Sequence, residues 1–74
     1  MDIAYYWTVY DAASLCQVAD GESPTLDEAN AEASRAAKQA IRPRASIEET
    51  PVNVGDSLTN GRGWALFNDE WLEN

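Results

Sequence analysis

The feature that most limits how this 74-residue chain can fold is its lack of residues for cross-linking, because it contains one cysteine, Cys16, and no histidine. A lone cysteine cannot close a disulfide within the chain, and a zinc site needs several cysteine or histidine ligands. Domains of this size obtain little stability from a single core and often add a disulfide, a metal or a partner subunit. We therefore expect one domain over residues 1–74 that is stabilised by packing alone, within the chain or against a second copy.

The composition is that of a folded protein in a reducing compartment. Hydrophobic residues make up 45% of the chain, above the range of disordered sequences. Small domains without disulfides are unusual outside the cell, and the N-terminal residues show neither a basic segment nor a long apolar run. We expect a cytoplasmic protein without a signal peptide or a membrane span. We also expect Cys16 to be a small buried residue.

Residues 3–10 are rich in aromatic and β-branched side chains, which predicts a strand. Successive side chains of a strand alternate between two faces. The face that we assign to the core carries Ile3, Tyr5, Trp7 and Val9. The other face carries Tyr6 and Tyr10, which would form a protein-binding surface if they stayed exposed. Alternatively, the C-terminal aromatic residues Trp64, Phe67 and Trp71 fold over this face, or a second copy of the chain covers it.

The next segment predicts a hairpin and then a helix. A second strand is expected over residues 15–19, and residues 20–24 have the composition of a loop that ends the sheet. Thr25 and Glu28 fit a capping box, so a helix should begin there and continue to about Ile41. Small and apolar residues recur along it at three- and four-residue spacing, which favours close packing on a sheet. They are Leu26, Ala29, Ala33, Ala36 or Ala37, Ala40 and Ile41.

The C-terminal third predicts a second hairpin. Residues 46–50 fit a short strand that Pro51 would end. Residues 52–58 and 64–68 flank a glycine-rich turn at residues 59–63, which is typical of a hairpin. We expect one helical turn from Asp69 to Leu72. Together the elements predict an α+β fold in the order β-β-α-β-β, with a small antiparallel sheet and one helix packed on one face.

The residue types argue against catalysis. Without histidine, acid–base chemistry near neutral pH would depend on carboxylates, and the adjacent Glu48 and Glu49 would point to opposite faces of a strand. The acids do not have the spacing of a calcium loop, and residues 61–63 lack the strand-loop-helix context of a phosphate loop. We therefore expect no enzymatic activity, no metal and no cofactor.

Charge is segregated along the chain. Residues 1–34 carry seven acids and no base, residues 35–44 carry four bases and no acid, and residues 45–74 carry six acids and one base. The net charge of −8 argues against direct binding to nucleic acid or to anionic membranes. Segregated charge opposes folding by self-repulsion, and it is tolerated where it aids solubility or binding to a basic partner.

In its small size, acidic and histidine-free composition, aromatic first strand and alanine-rich helix, the chain resembles small proteins of phages and mobile elements, and among these it is similar to anti-CRISPR inhibitors. The resemblance lies in size, charge and element layout. It implies an inhibitor that acts in the cytoplasm of a bacterial host. Carboxylates would then occupy the place where an effector complex binds DNA phosphates.

Two functions follow from these patterns. In the first, the chain inhibits a larger protein or ribonucleoprotein that has a basic groove, as a DNA mimic in which Glu28 and Glu32 approximate the spacing of phosphates. The residues predicted to contact this partner are Asp20, Glu22, Asp27, Glu28, Glu32, Tyr6 and Tyr10. In the alternative, the chain is a small dimeric interaction or structural module that uses the aromatic sheet face.

Overall fold

The computed structural model describes residues 2–53, 55–58, 61–67 and 69–74. The elements are β1 (Ile3–Asp11), β2 (Cys16–Ser23), α1 (Leu26–Ala37), β3 (Pro43–Pro51), β4 (Gly63–Phe67) and β5 (Glu70–Glu73). The strands form one antiparallel sheet in the order β2-β1-β3-β4-β5, so β3 is the central strand. The α+β fold and the element order β-β-α-β-β are confirmed, and β5 follows as a further strand.

The first hairpin is longer than the sequence pattern indicates. Strand β2 continues through residues 20–23, where Tyr6 lies opposite Glu22 and Trp7 lies opposite Gly21. Gly21 leaves room for the Trp7 indole, because a Cβ atom at this position would lie 2.7 Å from Trp7 Cζ2. The predicted loop at residues 20–24 is therefore wrong for most of its length. Packing of an indole on a glycine outweighs the low strand propensity of this segment.

Helix α1 begins where the capping box predicts and ends earlier than expected. Thr25 Oγ1 accepts a hydrogen bond of 3.2 Å from the backbone N–H of Glu28. The helix ends at Ala37, and Ile41 is exposed instead of packing on the sheet. The backbone N–H of Ile41 donates to the carboxylate of Asp11 at 3.1 Å, which holds this segment in a non-helical connection. The buried stripe of α1 consists of Ala29, Ala33, Ala36 and Ala37.

The core is a single layer of side chains between α1 and the sheet. Val9 and Ile47 are fully buried at its centre, and Trp7 and Trp64 are buried beside them. The small alanines let the helix approach the sheet closely, and the two indoles fill the remaining space. Trp7 and Val9 are thus core residues, as predicted, whereas Ile3 at the end of β1 is more than a third exposed.

The second predicted hairpin has a different first strand. Strand β4 pairs with β3, where Ile47 lies opposite Trp64, and it does not pair with the described residues 52–53 and 55–58. This pairing buries Ile47 and Trp64 in the core, whereas residues 52–53 and 55–58 are mostly exposed, and Val54 lies outside the described residues. The predicted turn residues Thr59 and Asn60 lie outside the described residues, as does Asn68 at the predicted end of the second strand.

Strand β5 replaces the predicted helical turn. Asp69 has a φ of 64°, a left-handed conformation that reverses the chain between β4 and β5. Trp71 then lies on the helix side of the sheet, where its indole N–H donates to Ser34 Oγ at 3.1 Å, and Leu72 lies on the other side. The C-terminal segment therefore extends the sheet and does not fold over the face opposite α1.

Cys16 is exposed, contrary to the expectation that it is buried. It is the first residue of β2, an edge strand, and it follows a turn whose tip residue, Leu15, is itself exposed. Within the described part of the chain, no helix has the length and apolar character needed to cross a membrane.

Candidate functional site

Antiparallel pairing brings several chain segments together at one end of the sheet. Ile3 in β1 lies opposite Pro51 in β3, and Tyr5 lies opposite Ser23 at the end of β2. Helix α1 starts three residues after Ser23. This end therefore collects exposed acids from three segments, and we call Asp2, Glu22, Asp27 and Glu28 the acidic end.

A hollow of about 430 Å³ lies at the acidic end. Its walls are largely apolar and comprise Ile3, Ala4, Ser23, Pro24 and Val52. The carboxylates of Asp2 and Glu22 also line it, and the backbone N–H of Val52 donates to the carbonyl of Asp2 at 3.0 Å. Lysine and arginine side chains have an apolar stem and a charged head. A hollow with apolar walls and two carboxylates therefore suits basic side chains.

The opposite end of the sheet has mixed charge. Helix α1 ends there and β3 begins there, and the charged residues are Lys38, Arg42, Arg44, Asp69 and Glu70. Asp11 also lies at this end, but it is buried and accepts hydrogen bonds from three backbone N–H groups, those of Ala13, Arg42 and Ile41, at 2.9–3.1 Å. The N–H of Arg42, followed by the other two, lowers the pKa of the Asp11 carboxyl below its ordinary value of 3.8.

The sheet face opposite α1 is uncovered among the residues that the structure describes. Side chains that are directly opposite in paired strands share a face. Tyr6 thus lies between Glu22 of β2 and Glu48 of β3, and its hydroxyl donates to Asp20 Oδ2 at 2.9 Å. Tyr10 lies opposite Arg44.

The exposed aromatic and apolar residues of this face span the sheet. Tyr6 and Tyr10 are 38% and 43% exposed, and Phe67 and Leu72 on the other side of β3 are 48% and 45% exposed. We call this surface the open face, and its main residues are Tyr6, Tyr10, Arg44, Glu48, Phe67 and Leu72. Contiguous exposed apolar patches mark interaction surfaces, and these four large side chains share one face of the sheet.

The helix side of β4 and β5 holds the one ion pair found within the described ranges. Arg62 Nη2 and Nε donate to the carboxylate of Glu73 at 2.6 and 3.2 Å. The Arg62 guanidinium also lies 4.9 Å from the ring centroid of Trp64. The side-chain hydrogen bonds between the two residues, and then their opposite charges, raise the pKa of Arg62 and lower the pKa of Glu73. This cation is therefore engaged within the fold.

The structure divides the seven residues predicted to contact a partner. Asp27 and Glu28 lie at the acidic end, and Tyr6, Tyr10 and Asp20 lie on the open face. Glu22 belongs to both, since it lines the hollow at the acidic end and shares a face with Tyr6. Glu32 has a structural role that the sequence pattern did not indicate, since its Oε2 atom accepts hydrogen bonds from Trp7 Nε1 at 3.2 Å and Ser23 Oγ at 2.9 Å. Two surfaces, rather than one, therefore contain the predicted residues.

Asp2 and Glu48 were missed as members of these surfaces. Both are placed by the pairing of β1 with β3, which joins residues about 40 positions apart. No short-range sequence pattern indicates that β1 pairs with β3. The alternation in residues 3–10 predicts the two faces of β1, but it does not predict which residues of β3 lie beside them.

The described residues contain no group of three or more acidic or cysteine side chains arranged to hold a metal ion. Comparison of the chain with protein-family models, with curated proteins and with solved structures finds no match.

Proposed function

We propose that this chain is a non-enzymatic acidic protein that inhibits a larger nucleic-acid-binding protein or ribonucleoprotein by occupying its basic groove. The observation that supports this function is the gathering of four exposed acids from separate segments at the acidic end. In such a complex, these carboxylates stand where DNA phosphates bind. A CRISPR effector complex is the target that the resemblance to anti-CRISPR inhibitors favours.

The hollow beside these acids provides apolar surface that a partner can bury, in addition to the charge interactions. Complementary charge mainly increases the association rate and the specificity, and it weakens when salt is added. Burial of apolar surface adds affinity that salt does not screen. Ile3 and Val52 are 37% and 53% exposed in the hollow, so a basic side chain of the target can pack its stem on them while its head meets Asp2 or Glu22.

The test is competition with DNA for bound proteins. Proteins of a bacterial lysate are loaded on immobilised duplex DNA at low salt, the purified chain is added, and the released proteins are identified by mass spectrometry. We expect the wild-type chain to release a small set of proteins, and we expect the release to fall as salt is raised. The double variant Glu22→Gln/Glu28→Gln should release several-fold less, since it removes two of the four acids.

The matched control is Asp69→Asn/Glu70→Gln, which removes the same amount of charge at the opposite end of the sheet. It should release the same proteins as the wild type. Equal release by both double variants would show that net charge, and not the acidic end, causes the effect. No release by the wild type at any salt concentration would contradict competition with nucleic acid.

A further inference from the structure

The central strand carries an ordered set of charges on the open face. Arg44, Ser46 and Glu48 follow one another at every second position of β3, so they lie on one face in the order positive, neutral and negative. We propose that the open face binds a second copy of this chain, in a two-fold dimer whose axis passes over Ser46.

The position of the axis follows from this order of charges. A two-fold axis that lies in the plane of the interface, perpendicular to the strands, reverses the strand direction of the second copy. Arg44 and Glu48 lie about 6.6 Å on either side of Ser46, at two residues of about 3.3 Å each. Arg44 of each copy is then placed opposite Glu48 of the other. An axis parallel to the strands would instead place like charges opposite each other.

The same operation matches the aromatic residues of β1. Across the sheet, Tyr6 is the neighbour of Glu48 and Tyr10 is the neighbour of Arg44. The operation that exchanges the positions of Glu48 and Arg44 therefore places Tyr6 of one copy opposite Tyr10 of the other. A hollow of about 270 Å³ lies beside Tyr10 and is lined by Thr8, Arg44, Ala45 and Ser46 as well. It provides space for the ring of Tyr6 from the second copy.

The open face also carries Glu22 on β2 and Glu70 on β5. The two-fold operation places them level with neutral residues of the other copy, Gln17 and Gly63, respectively. Arg44, the one base within the strands of this face, would repel a basic foreign surface, whereas the second copy offers it Glu48.

Reversal of the strand direction also places the two acidic ends at opposite ends of the dimer. Asp20 is level with Ser46 across the sheet, so the axis would bring it near Asp20 of the other copy. It lies on edge strand β2, however, and packed twisted sheets cross at about −30°, which moves their edge strands apart.

The available area is sufficient for a small dimer. A sheet of five strands, about 4.8 Å apart and about seven residues long, presents roughly 500 Å² per copy, or roughly 1,000 Å² in total. This total is the lower limit for a specific interface, about 1,000 Å². A domain with one thin core and no cross-links gains stability by covering such a face.

The experiment measures mass by sedimentation equilibrium over concentrations from micromolar to millimolar. We expect the wild-type mass to rise from 8.1 kDa toward twice that value. R44E and E48R should each remain monomeric at concentrations where the wild type is dimeric, because each places like charges opposite each other. An equimolar mixture of R44E and E48R should recover the dimer, and so should the double variant R44E/E48R.

The recovery in the mixture separates a dimer contact from a folding defect, since each variant must be folded to complement the other. The matched controls are R35E and D56R, which make the same charge changes at exposed positions outside the open face and should dimerise as the wild type does. A wild-type chain that stays monomeric at millimolar concentration overturns the proposal. A wild-type dimer whose R44E and E48R variants fail to complement each other overturns the assigned contact. The test of DNA competition stays separate, because it measures the release of proteins and not mass, and because it also changes Glu28, a residue of α1 outside the open face.

Discussion

Removal of the Glu32 carboxylate tests whether this exposed acid is a structural acceptor. Its Oε2 atom accepts from the Trp7 indole and from the hydroxyl of Ser23, a residue that is only 3% exposed. The Glu32→Ala substitution leaves both donors without this partner. A buried donor left unsatisfied costs about 1–3 kcal/mol. Because the indole N–H is only partly buried, we expect a total loss of about 2 kcal/mol in the free energy of unfolding.

A loss of this size is readily measured in such a small domain. The free energy of unfolding of a 74-residue chain is about 4–11 kcal/mol, so the substitution removes a large share of it. One kcal/mol lowers the Tm of a domain of this size by about 4–8 °C, so Glu32→Ala should melt about 8–16 °C below the wild type. The assay is thermal unfolding followed by circular dichroism, at a concentration low enough to keep the chain monomeric.

The matched control is Glu28→Ala, one helical turn closer to the N-terminus. This residue is exposed, and its substitution removes only a favourable interaction with the helix dipole of about 0.3–1 kcal/mol. Glu32→Gln keeps one acceptor oxygen and should melt between the wild type and Glu32→Ala. If Glu32→Ala unfolded at the same temperature as Glu28→Ala, the carboxylate would contribute no acceptor to the fold and the reasoning would be refuted.

Two further predictions concern Asp11, the last residue of β1, and Gly21, which lies opposite Trp7. The lowered pKa of Asp11 means that its contribution to stability is complete above pH 3.8 and is lost as the pH falls through its lower folded-state pKa. Urea unfolding between pH 2 and pH 6 should therefore show a smaller acid-induced loss for Asp11→Asn than for the wild type, and an unchanged loss for exposed Asp56→Asn. Gly21→Ala should lower the free energy of unfolding by about 1–3 kcal/mol because its Cβ meets the Trp7 ring. Gly63→Ala, whose Cβ has no contact closer than 3.6 Å, should unfold within about 1 kcal/mol of the wild type, and an equal loss in both variants would contradict the clash.

The elements that could be predicted from the sequence are those determined by neighbouring residues. The start of α1 depends on Thr25 and the residues directly after it, and the two faces of β1 follow from strict alternation. The wrong predictions concern segments whose secondary structure depends on contacts with residues distant in sequence. Residues 20–23 are strand because Trp7 packs on Gly21, and β5 is strand because Trp71 reaches α1. Neither contact is visible in a short window of sequence.

The candidate site was predictable in its residue types but not in its arrangement. Segregated charge directed attention to the first 34 residues, and the four acids of the acidic end all lie among them. Their grouping at one end of the sheet depends on strand directions, which place Asp2 near Glu22. The order of charges on the open face could not be predicted without the register between β3 and β1. A shift of one residue in this register would move Arg44 and Glu48 to the helix side of the sheet.

The position of β1 between β2 and β3 also determines when the chain can fold during its synthesis. Val9 leaves the ribosome 38 residues before Ile47, which packs with it in the core. At about 5–20 residues per second this delay is roughly 2–8 s. An isolated hairpin is at best marginally stable, so β1 and β2 stay largely unfolded during this delay. Trp7 is then accessible to chaperones. Folding is therefore postponed until β3 has been translated.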